Sequence, residues 1–290
     1  MAAQLVSLPE VERLSPACIR ILGGNPSKFT LQGTNTYLVG TGPKRLLIDT
    51  GEGKPSWIAA LKRTLAEEKA SVHSTLLTHW HHDHIDGVRD LLTHSPDTKV
   101  YKCDPHPGWA DIEDGQTFEV EGATLTAVHT PGHAVDHMVF VLREENALFT
   151  GDNVLGQGTA VFEDLATYLE SLEKMGKLAS GRGYPGHGPV LPDAPAKISE
   201  YIAHRREREQ QVLQTLGSTN ASATSTSSSS GRTDSWTPME LVKVIYRDYP
   251  ESLHQPAVGG IIQILQKLKA EDKISLERGD TWRLKDRSSL

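Results

Sequence analysis

The chain has 290 residues, of which 37% are hydrophobic and 23% are charged, and its formal net charge is −7. This length and composition indicate a folded domain of about 200 residues with a smaller second domain. The acidic balance excludes a broad basic surface for nucleic acid or anionic lipid, and no apolar run reaches the ~20 residues of a membrane span. The N-terminal residues do not resemble a signal peptide, and the two cysteines lie far apart in sequence, so we expect a cytoplasmic location.

Short apolar runs alternate with amphipathic helices over the first 200 residues. Helices are predicted at 56–69 and at 164–175, where Asp164 is the expected N-cap. Most of the strands end in Gly, Thr or Asp, and they are predicted at 35–40, 45–50, 74–78, 123–130, 137–142 and 146–152. This alternation predicts an α/β architecture in which helices cover the sheets.

The segment THWHHDH at 78–84 places four histidines and one aspartate directly after a predicted strand. Histidines used for capping or for core hydrogen bonds explain only one or two of these residues, and a pH switch does not explain Asp83. Neutral imidazoles and a carboxylate are ligands that zinc accepts, and a bound metal removes the cost of crowding them. The segment therefore predicts a metal site, in which His79 and His81 point the same way from an extended loop while Asp83 and His84 face a second metal.

Three later segments supply further candidate ligands, each just beyond a predicted strand. They are His133 in HTPGH, Asp152 in FTGD and His187 in YPGHG. Each residue alone is as well explained by a loop or turn role. Ligand sites of layered α/β folds collect at strand ends, however, so the three residues together favour metal binding.

The H-x-H-x-D-H string followed by separate His, Asp and His motifs resembles the metallo-β-lactamase superfamily over about residues 18–216. The resemblance implies a four-layer αβ/βα sandwich that holds two zinc ions per chain. The implied ligands are His79, His81 and His133 for one zinc, Asp83, His84 and His187 for the other, and Asp152 as a bridge between them. The resemblance also implies that Asp49, in LLIDTG at 46–51, orients the metal loop without binding metal.

The chemistry that follows is hydrolysis, because a water shared by two zinc ions has a pKa near 7 and supplies hydroxide for attack on a carbonyl or a phosphorus. Asp83 is the carboxylate expected nearest to this water. We therefore expect Asp83 to be the catalytic residue that orients the water and passes its proton to the leaving group. His82 is expected to point away from its neighbours and to support the site only indirectly.

Longer segments, including GGNPSKFTLQGTNTYLVG at 23–40 and TGEGKPSWI at 50–58, resemble one branch of the superfamily. That branch contains the animal mitochondrial β-lactamase-like endoribonuclease and the fungal metallo-β-lactamase-type thioesterases of polyketide gene clusters, and the fungal enzymes are more similar. The resemblance implies a thioesterase that releases a polyketide from the acyl carrier protein of a non-reducing polyketide synthase. A single-strand endoribonuclease and a glyoxalase-type hydrolase of glutathione thioesters stay open as alternatives. The sequence departs from the family at Asp86, where a small residue is usual.

The Ser/Thr-rich stretch at 218–233 is predicted to be a disordered linker between a hydrolase domain at 1–217 and a second domain at 234–290. In the second domain Thr237 and Glu240 predict a capping box, and a helix at 258–273 and a hairpin at 274–284 follow. These elements resemble the winged-helix domain of the same branch. Nine Lys and Arg residues balance nine Asp and Glu residues there, so we expect protein or substrate docking and no nucleic-acid binding.

Overall fold

Two β-sheets form the framework of the first of two units into which the chain divides, Met1–Tyr201 and Ile202–Leu290. The structure is a computed structural model that describes residues 5–220 and 235–285. The first sheet has six strands in chain order: β1 (Val11–Ser15), β2 (Cys18–Leu22), β3 (Asn35–Val39), β4 (Lys44–Ile48), β5 (Ser71–Leu76) and β6 (Lys99–Tyr101). Strands β1 to β4 pair antiparallel, whereas β4, β5 and β6 pair parallel.

The second sheet has five strands. They are β7 (Thr117–Val120), β8 (Ala123–His129), β9 (Met138–Leu142), β10 (Ala147–Gly151) and β11 (Gly183–Pro185), and they lie in the order β11-β10-β9-β8-β7. Strands β7 to β10 form an antiparallel meander, and β11 joins β10 in parallel. As a result β8, β10 and β11 run in the same direction and end at the same edge of the sheet.

Helices accompany both sheets. They are α1 (Pro55–Glu68), α2 (His82–Ile85), α3 (Val88–His94), α4 (Leu165–Met175) and α5 (Ala194–Leu216). Alternate residues of β4 show the layering, because Leu46 and Ile48 pack between the two sheets while Leu47 packs against Trp57 and Leu61 of α1. The predicted architecture of layered sheets flanked by helices is confirmed.

The predicted elements of the first unit are all present, with ends displaced by up to three residues. Asp164 caps α4 as predicted, because its carboxylate accepts a hydrogen bond from the Thr167 amide. The expectation of an extended metal loop is wrong for its second half, because residues 82–85 form the single helical turn α2. The sequence reasoning also missed the strands β1, β2, β6, β7 and β11, of which the last three are only three or four residues long, and the helices α3 and α5.

The second unit contains the part of α5 from Ile202 onward, α6 (Pro238–Ile245), α7 (His254–Ala270), β12 (Ile274–Glu277) and β13 (Thr281–Leu284). Thr237 and Glu240 form the predicted capping box at the start of α6. Helix α7 begins four residues before the predicted start, and β12 and β13 form the predicted hairpin. Most of the predicted linker, residues 221–233, lies outside the described residues and stays a prediction.

None of the helices within residues 5–220 and 235–285 combines the length and the apolar character that a membrane crossing requires.

Candidate metal centre

Four loops meet at one edge of the two sheets and carry all seven predicted ligands. Because β8, β10 and β11 end at this edge, the loops that follow them bring His133, Asp152 and His187 together. The loop after β5 is attached to the same edge by a 2.7 Å hydrogen bond that the Met138 amide donates to the Thr78 carbonyl. Residues that are distant in sequence therefore share one site.

The first group of candidate ligands consists of His79, His81 and His133. Nε2 of His79 lies 2.9 Å from Nδ1 of His81, and Nε2 of His133 lies 3.1 Å from the same atom. His79 and His133 are buried and His81 is half-buried. Three ring nitrogens thus converge on one point, as the ligands of a single metal ion do.

The second group consists of Asp83, His84 and His187. Oδ2 of Asp83 lies 3.4 Å from Nε2 of His84 and 3.3 Å from Nε2 of His187. All three side chains are buried. This group offers two imidazoles and a carboxylate, a second donor set that suits a divalent metal.

Asp152 lies between the two groups. Its Oδ1 is 3.5 Å from Nε2 of His84, and its Oδ2 is 3.2 Å from Nε2 of His187 and 3.8 Å from Nε2 of His133. The adjacent turn is tight, since a Cβ at Gly186 would lie 2.2 Å from Oδ1 of Asp152. Asp152 therefore lies between the two groups, its bridging role stays a prediction, and the turn before His187 has room only for glycine.

Unpaired buried atoms test whether these residues fit a metal. Among the described residues, Nε2 of His84 and Oδ1 of Asp152 are buried and lack a hydrogen-bond partner. Orphaned buried polar atoms are costly, and here both point into the cluster. A metal ion between the groups would coordinate them, so the donor set fits metal binding.

Burial dominates the electrostatics of the first group. It lowers the pKa of His79 well below the ordinary value, and neighbouring imidazoles add to the effect. Burial and the nearby His133 lower the pKa of His81 to about 4. Both rings are therefore neutral at pH 7, which is the state that binds metal.

In the second group, neighbouring carboxylates have a larger effect on the histidine pKa values than burial does. Burial alone would lower the pKa of His187, but Asp152 and Asp83 raise it to about 9. His84 follows the same pattern, since the effect of burial is exceeded by Asp83, Asp152 and Asp49, and its pKa is raised well above the ordinary value. Burial would raise the pKa of Asp83, but His84 and His187 hold it well below its usual range. In the metal-free protein the protonated His84 and His187 thus offset the negative charge of Asp83 and Asp152, as a bound metal ion would.

Asp49 lies beneath the cluster at the end of β4. Its Oδ1 accepts a hydrogen bond of 2.8 Å from the Thr78 amide, and its Oδ2 lies 2.7 Å from Nδ1 of His84. Its backbone has a φ of 57°, which aspartate tolerates better than most residues. Asp49 thus contacts the start of the metal loop and one ligand, where an orienting residue is needed.

Sequence reasoning missed two other supporting residues. Oγ1 of Thr34 donates a 3.0 Å hydrogen bond to Oδ2 of Asp83. Nε2 of the buried His137 accepts a 3.1 Å hydrogen bond from the Asp152 amide. Thr34 lies in the polar run GTNT at 33–36, which spans the start of β3, but no local pattern marks either Thr34 or His137 as a supporting residue.

The two remaining residues of interest near the metal loop are exposed. His82 lines the cavity described below and is not part of any ligand group among the described residues. Asp86 lies beyond α2 and lines a different, open cavity with Arg89 and Trp109. The departure from the family pattern at Asp86 therefore falls outside the ligand cluster.

A cavity of about 610 Å³ opens over the ligands. Its inner wall includes His81, Asp83, His133, Asp152 and His187. Three exposed apolar side chains also line it, namely Phe29, which is 75% exposed, Trp80, which is 48% exposed, and Val161, which is 64% exposed. A ligand that enters this cavity meets both the candidate metal centre and apolar surface.

The chain matches two known domain families. Residues 29–187 match the Metallo-beta-lactamase superfamily, and residues 237–282 match the Beta-lactamase associated winged helix domain. The chain belongs to the metallo-β-lactamase superfamily and carries a C-terminal winged-helix domain. Members of this superfamily are typically metal-binding hydrolases, in agreement with the His and Asp groups described above.

Similar curated proteins are fungal. Lactamase-like protein adaB of Aspergillus niger is 50% identical over 95% of this chain and 87% of its own length. Atrochrysone carboxyl ACP thioesterase of Aspergillus chevalieri is 48% identical over 95% of this chain and 88% of its own length. Lactamase-like protein vrtG of Penicillium aethiopicum is 46% identical over 96% of this chain and 89% of its own length.

Solved structures share the fold. A metallo-beta-lactamase family protein from Thermus thermophilus has a TM-score of 0.68 at 22% identity, and the match covers 94% of this chain and 100% of that protein. A beta-lactamase domain protein from Burkholderia ambifaria has a TM-score of 0.77 at 16% identity, and the match covers 98% of this chain and 96% of that protein. These likenesses extend over both units.

Proposed function

We propose that this protein is a zinc-dependent thioesterase that releases a polyketide acyl chain from the acyl carrier protein of a non-reducing polyketide synthase. The observation that carries the proposal is the ligand cluster at the floor of a partly apolar cavity. A relative that is 48% identical is named as an acyl carrier protein thioesterase. Two zinc ions per chain suit the two donor groups and the carboxylate between them.

The cavity wall favours an aromatic acyl group over RNA. Phe29 and Trp80 are the exposed aromatic side chains within described residues 5–201, and both line the cavity. Exposed apolar surface that surrounds a reactive centre indicates an apolar ligand. Lys28 is the only Lys or Arg among the lining residues within the described part of the chain, and Glu52 lines the same cavity. An RNA backbone would favour several cations here.

Bound zinc would lower the pKa of a water molecule and polarise the thioester carbonyl. The chain's own part is to orient that water and to manage its proton. The ionised Asp83 carboxylate, which accepts a hydrogen bond from Thr34 and lines the cavity, would accept the proton as the water oxygen attacks the carbonyl carbon. The carbon–sulfur bond then breaks, and the proton passes from Asp83 to the departing thiolate, leaving a carboxylic acid and the free thiol of the carrier arm.

The test compares three substrates on one zinc-loaded preparation. They are an aromatic acyl thioester on its carrier protein, single-stranded RNA, and a glutathione thioester. We expect efficient hydrolysis of the carrier thioester, loss of that activity in chelator, and recovery with added zinc. Efficient RNA cleavage with the carrier thioester left intact would identify an endoribonuclease, and preference for the glutathione thioester would identify a glyoxalase-type enzyme. Full activity in chelator would contradict metal dependence altogether.

A further inference from the structure

Thr34, the residue before β3, contacts the second group of ligands from below. It is fully buried, and its hydroxyl donates to Oδ2 of Asp83 at 3.0 Å. The same oxygen of Asp83 faces His84 and His187. A hydrogen bond from Thr34 therefore fixes the carboxylate orientation that turns this oxygen toward both imidazoles.

Asn25 determines the direction of that hydrogen bond. Its Nδ2 donates to Oγ1 of Thr34 at 3.1 Å, and its Oδ1 accepts from the Thr34 amide at 2.9 Å. A hydroxyl has one proton, and an amide nitrogen can only donate. Since Asn25 supplies a proton to the Thr34 oxygen, the hydroxyl proton is left for Asp83.

Asn35, the next residue, holds the turn that carries His187. Its Nδ2 donates to the carbonyls of Pro185 at 2.9 Å and Gly188 at 2.8 Å, and its backbone amide donates to the Gly186 carbonyl at 2.7 Å. These bonds surround His187 on both sides. The turn is thus attached to β3 through the side chain and backbone amide of Asn35, and through the Tyr37 hydroxyl, which donates to the same Pro185 carbonyl at 2.6 Å.

Among the buried histidine ligands, His187 depends on this attachment the most. Nδ1 of His84 faces Asp49, Nδ1 of His133 faces the Val161 carbonyl, and Nδ1 of His79 faces Thr78. Nδ1 of His187 is buried without a hydrogen-bond partner within the described residues. A metal-binding histidine is ordinarily oriented through its second nitrogen. Here the backbone turn has to orient the ring.

We propose that Thr34 and Asn35 are positioning residues for the second metal, with Thr34 acting through Asp83 and Asn35 acting through His187. Adjacent side chains at one strand end thereby fix two of the three ligands in that group. The inference rests on the metal-dependent function proposed above, but not on the identity of the substrate. Loss of such supporting contacts typically weakens metal affinity by about 10- to 100-fold.

The test uses the full chain and the variants Thr34→Val, Thr34→Ser and Asn35→Leu. Thr36→Val is the matched control, because Thr36 is also fully buried and its hydroxyl donates to the Ile21 carbonyl and accepts from the Trp57 indole, away from the ligands. Each protein is equilibrated with buffered zinc concentrations, and bound zinc is counted by mass spectrometry of the element. Thermal unfolding and kcat and KM for a thioester are measured on the same samples.

We expect wild type, Thr34→Ser and Thr36→Val to bind two zinc ions with similar affinities. Thr34→Val and Asn35→Leu should bind the first ion normally and the second about 10- to 100-fold more weakly, with a lower kcat and little change in KM. If Thr34→Val and Asn35→Leu keep wild-type affinity for both ions, the inference is wrong while the proposed function stands. If wild type itself binds no zinc, both the proposed function and the inference are wrong.

Discussion

The two candidate ligand groups are held in place by different parts of the molecule. Two members of the first group are supported from the cavity side, where Nδ1 of His133 donates to the Val161 carbonyl at 2.8 Å and the Trp80 ring lies 4.5 Å from that of His81, whereas the buried His79 contacts Thr78. The second group is supported from the first sheet, through Asp49, Thr34 and Asn35. The first group is therefore attached in part to residues that would meet the substrate, and the second group to the buried interior.

This difference separates two kinds of mutational effect. A change beneath the second group should act on metal affinity and turnover, because its supporting side chains are buried and do not line the cavity. A change at the mouth beside the first group should act on substrate binding, because Trp80 and Val161 line the cavity.

The largest effect is expected at Asp83, the ligand of the second group that is also the predicted proton acceptor. Asp83→Asn removes the charge and the proton acceptor, and general acid–base residues contribute about 10²- to 10⁴-fold to rate. We expect kcat to fall by this factor while circular dichroism shows an intact fold. His82→Asn is the control, since His82 lines the cavity outside the ligand groups of the described residues. Near-normal turnover of Asp83→Asn at full zinc occupancy would exclude Asp83 as the proton acceptor.

The metal-free protein should lose stability at opposite ends of the pH scale through the two groups. The pKa of His187 is raised to about 9, so its stabilising contribution is complete below pH 6.5 and is lost as the pH rises to 9. At about 1.4 kcal/mol per pKa unit, this loss is on the order of 3 kcal/mol. The pKa of His81 is lowered to about 4, so protonation destabilises the fold as the pH falls from 6.5 to 4.

Urea unfolding in chelator checks this assignment with two variants. His187→Asn should flatten the decline in the free energy of unfolding between pH 6.5 and 9 and leave the acid side unchanged. His81→Asn should flatten the acid side and leave the alkaline side unchanged. Parallel curves for wild type and both variants would show that neither group couples to folding as described.

Asp49→Asn should have an intermediate effect, because it supports the second group without binding metal. The Thr78 amide and His84 contact different oxygens of Asp49, and an amide side chain keeps an acceptor oxygen at only one of the two positions, so His84 loses its orientation. We expect turnover to fall by about 10- to 100-fold. Asp86→Asn serves as the control, since Asp86 is exposed and lines a separate cavity. Equal activities of the two variants would remove Asp49 from the support of the site.

The sequence predicts the ligands better than it predicts their supports. The spacing of His79, His81, Asp83 and His84 is constrained by metal chemistry, so it is visible in a short string. Thr34 and His137 act through hydrogen bonds to Asp83 and Asp152, which are distant in sequence. Their positions follow from how the two sheets pack together, and no local pattern encodes that packing. Propensity also favours a loop at 82–85 because histidine and aspartate are weak helix formers, whereas the structure forms one helical turn there.

The smallest effect is expected at the mouth of the cavity, where a substitution can change substrate binding beside the first group without touching the second group. Val161→Ala removes apolar surface beside the first group but keeps the backbone carbonyl that accepts from His133. Burying two fewer methyl groups against an aromatic acyl chain costs about 1–1.5 kcal/mol, which corresponds to a KM that rises by roughly 5- to 10-fold with kcat unchanged.

The matched control is Val135→Ala, since Val135 is 68% exposed, close to the 64% of Val161, but does not line the cavity. Steady-state kinetics on an aromatic and a short aliphatic thioester should show the rise in KM for Val161→Ala with the aromatic substrate only. Equal KM values for the two variants would place the acyl chain away from Val161 and against another part of the cavity wall.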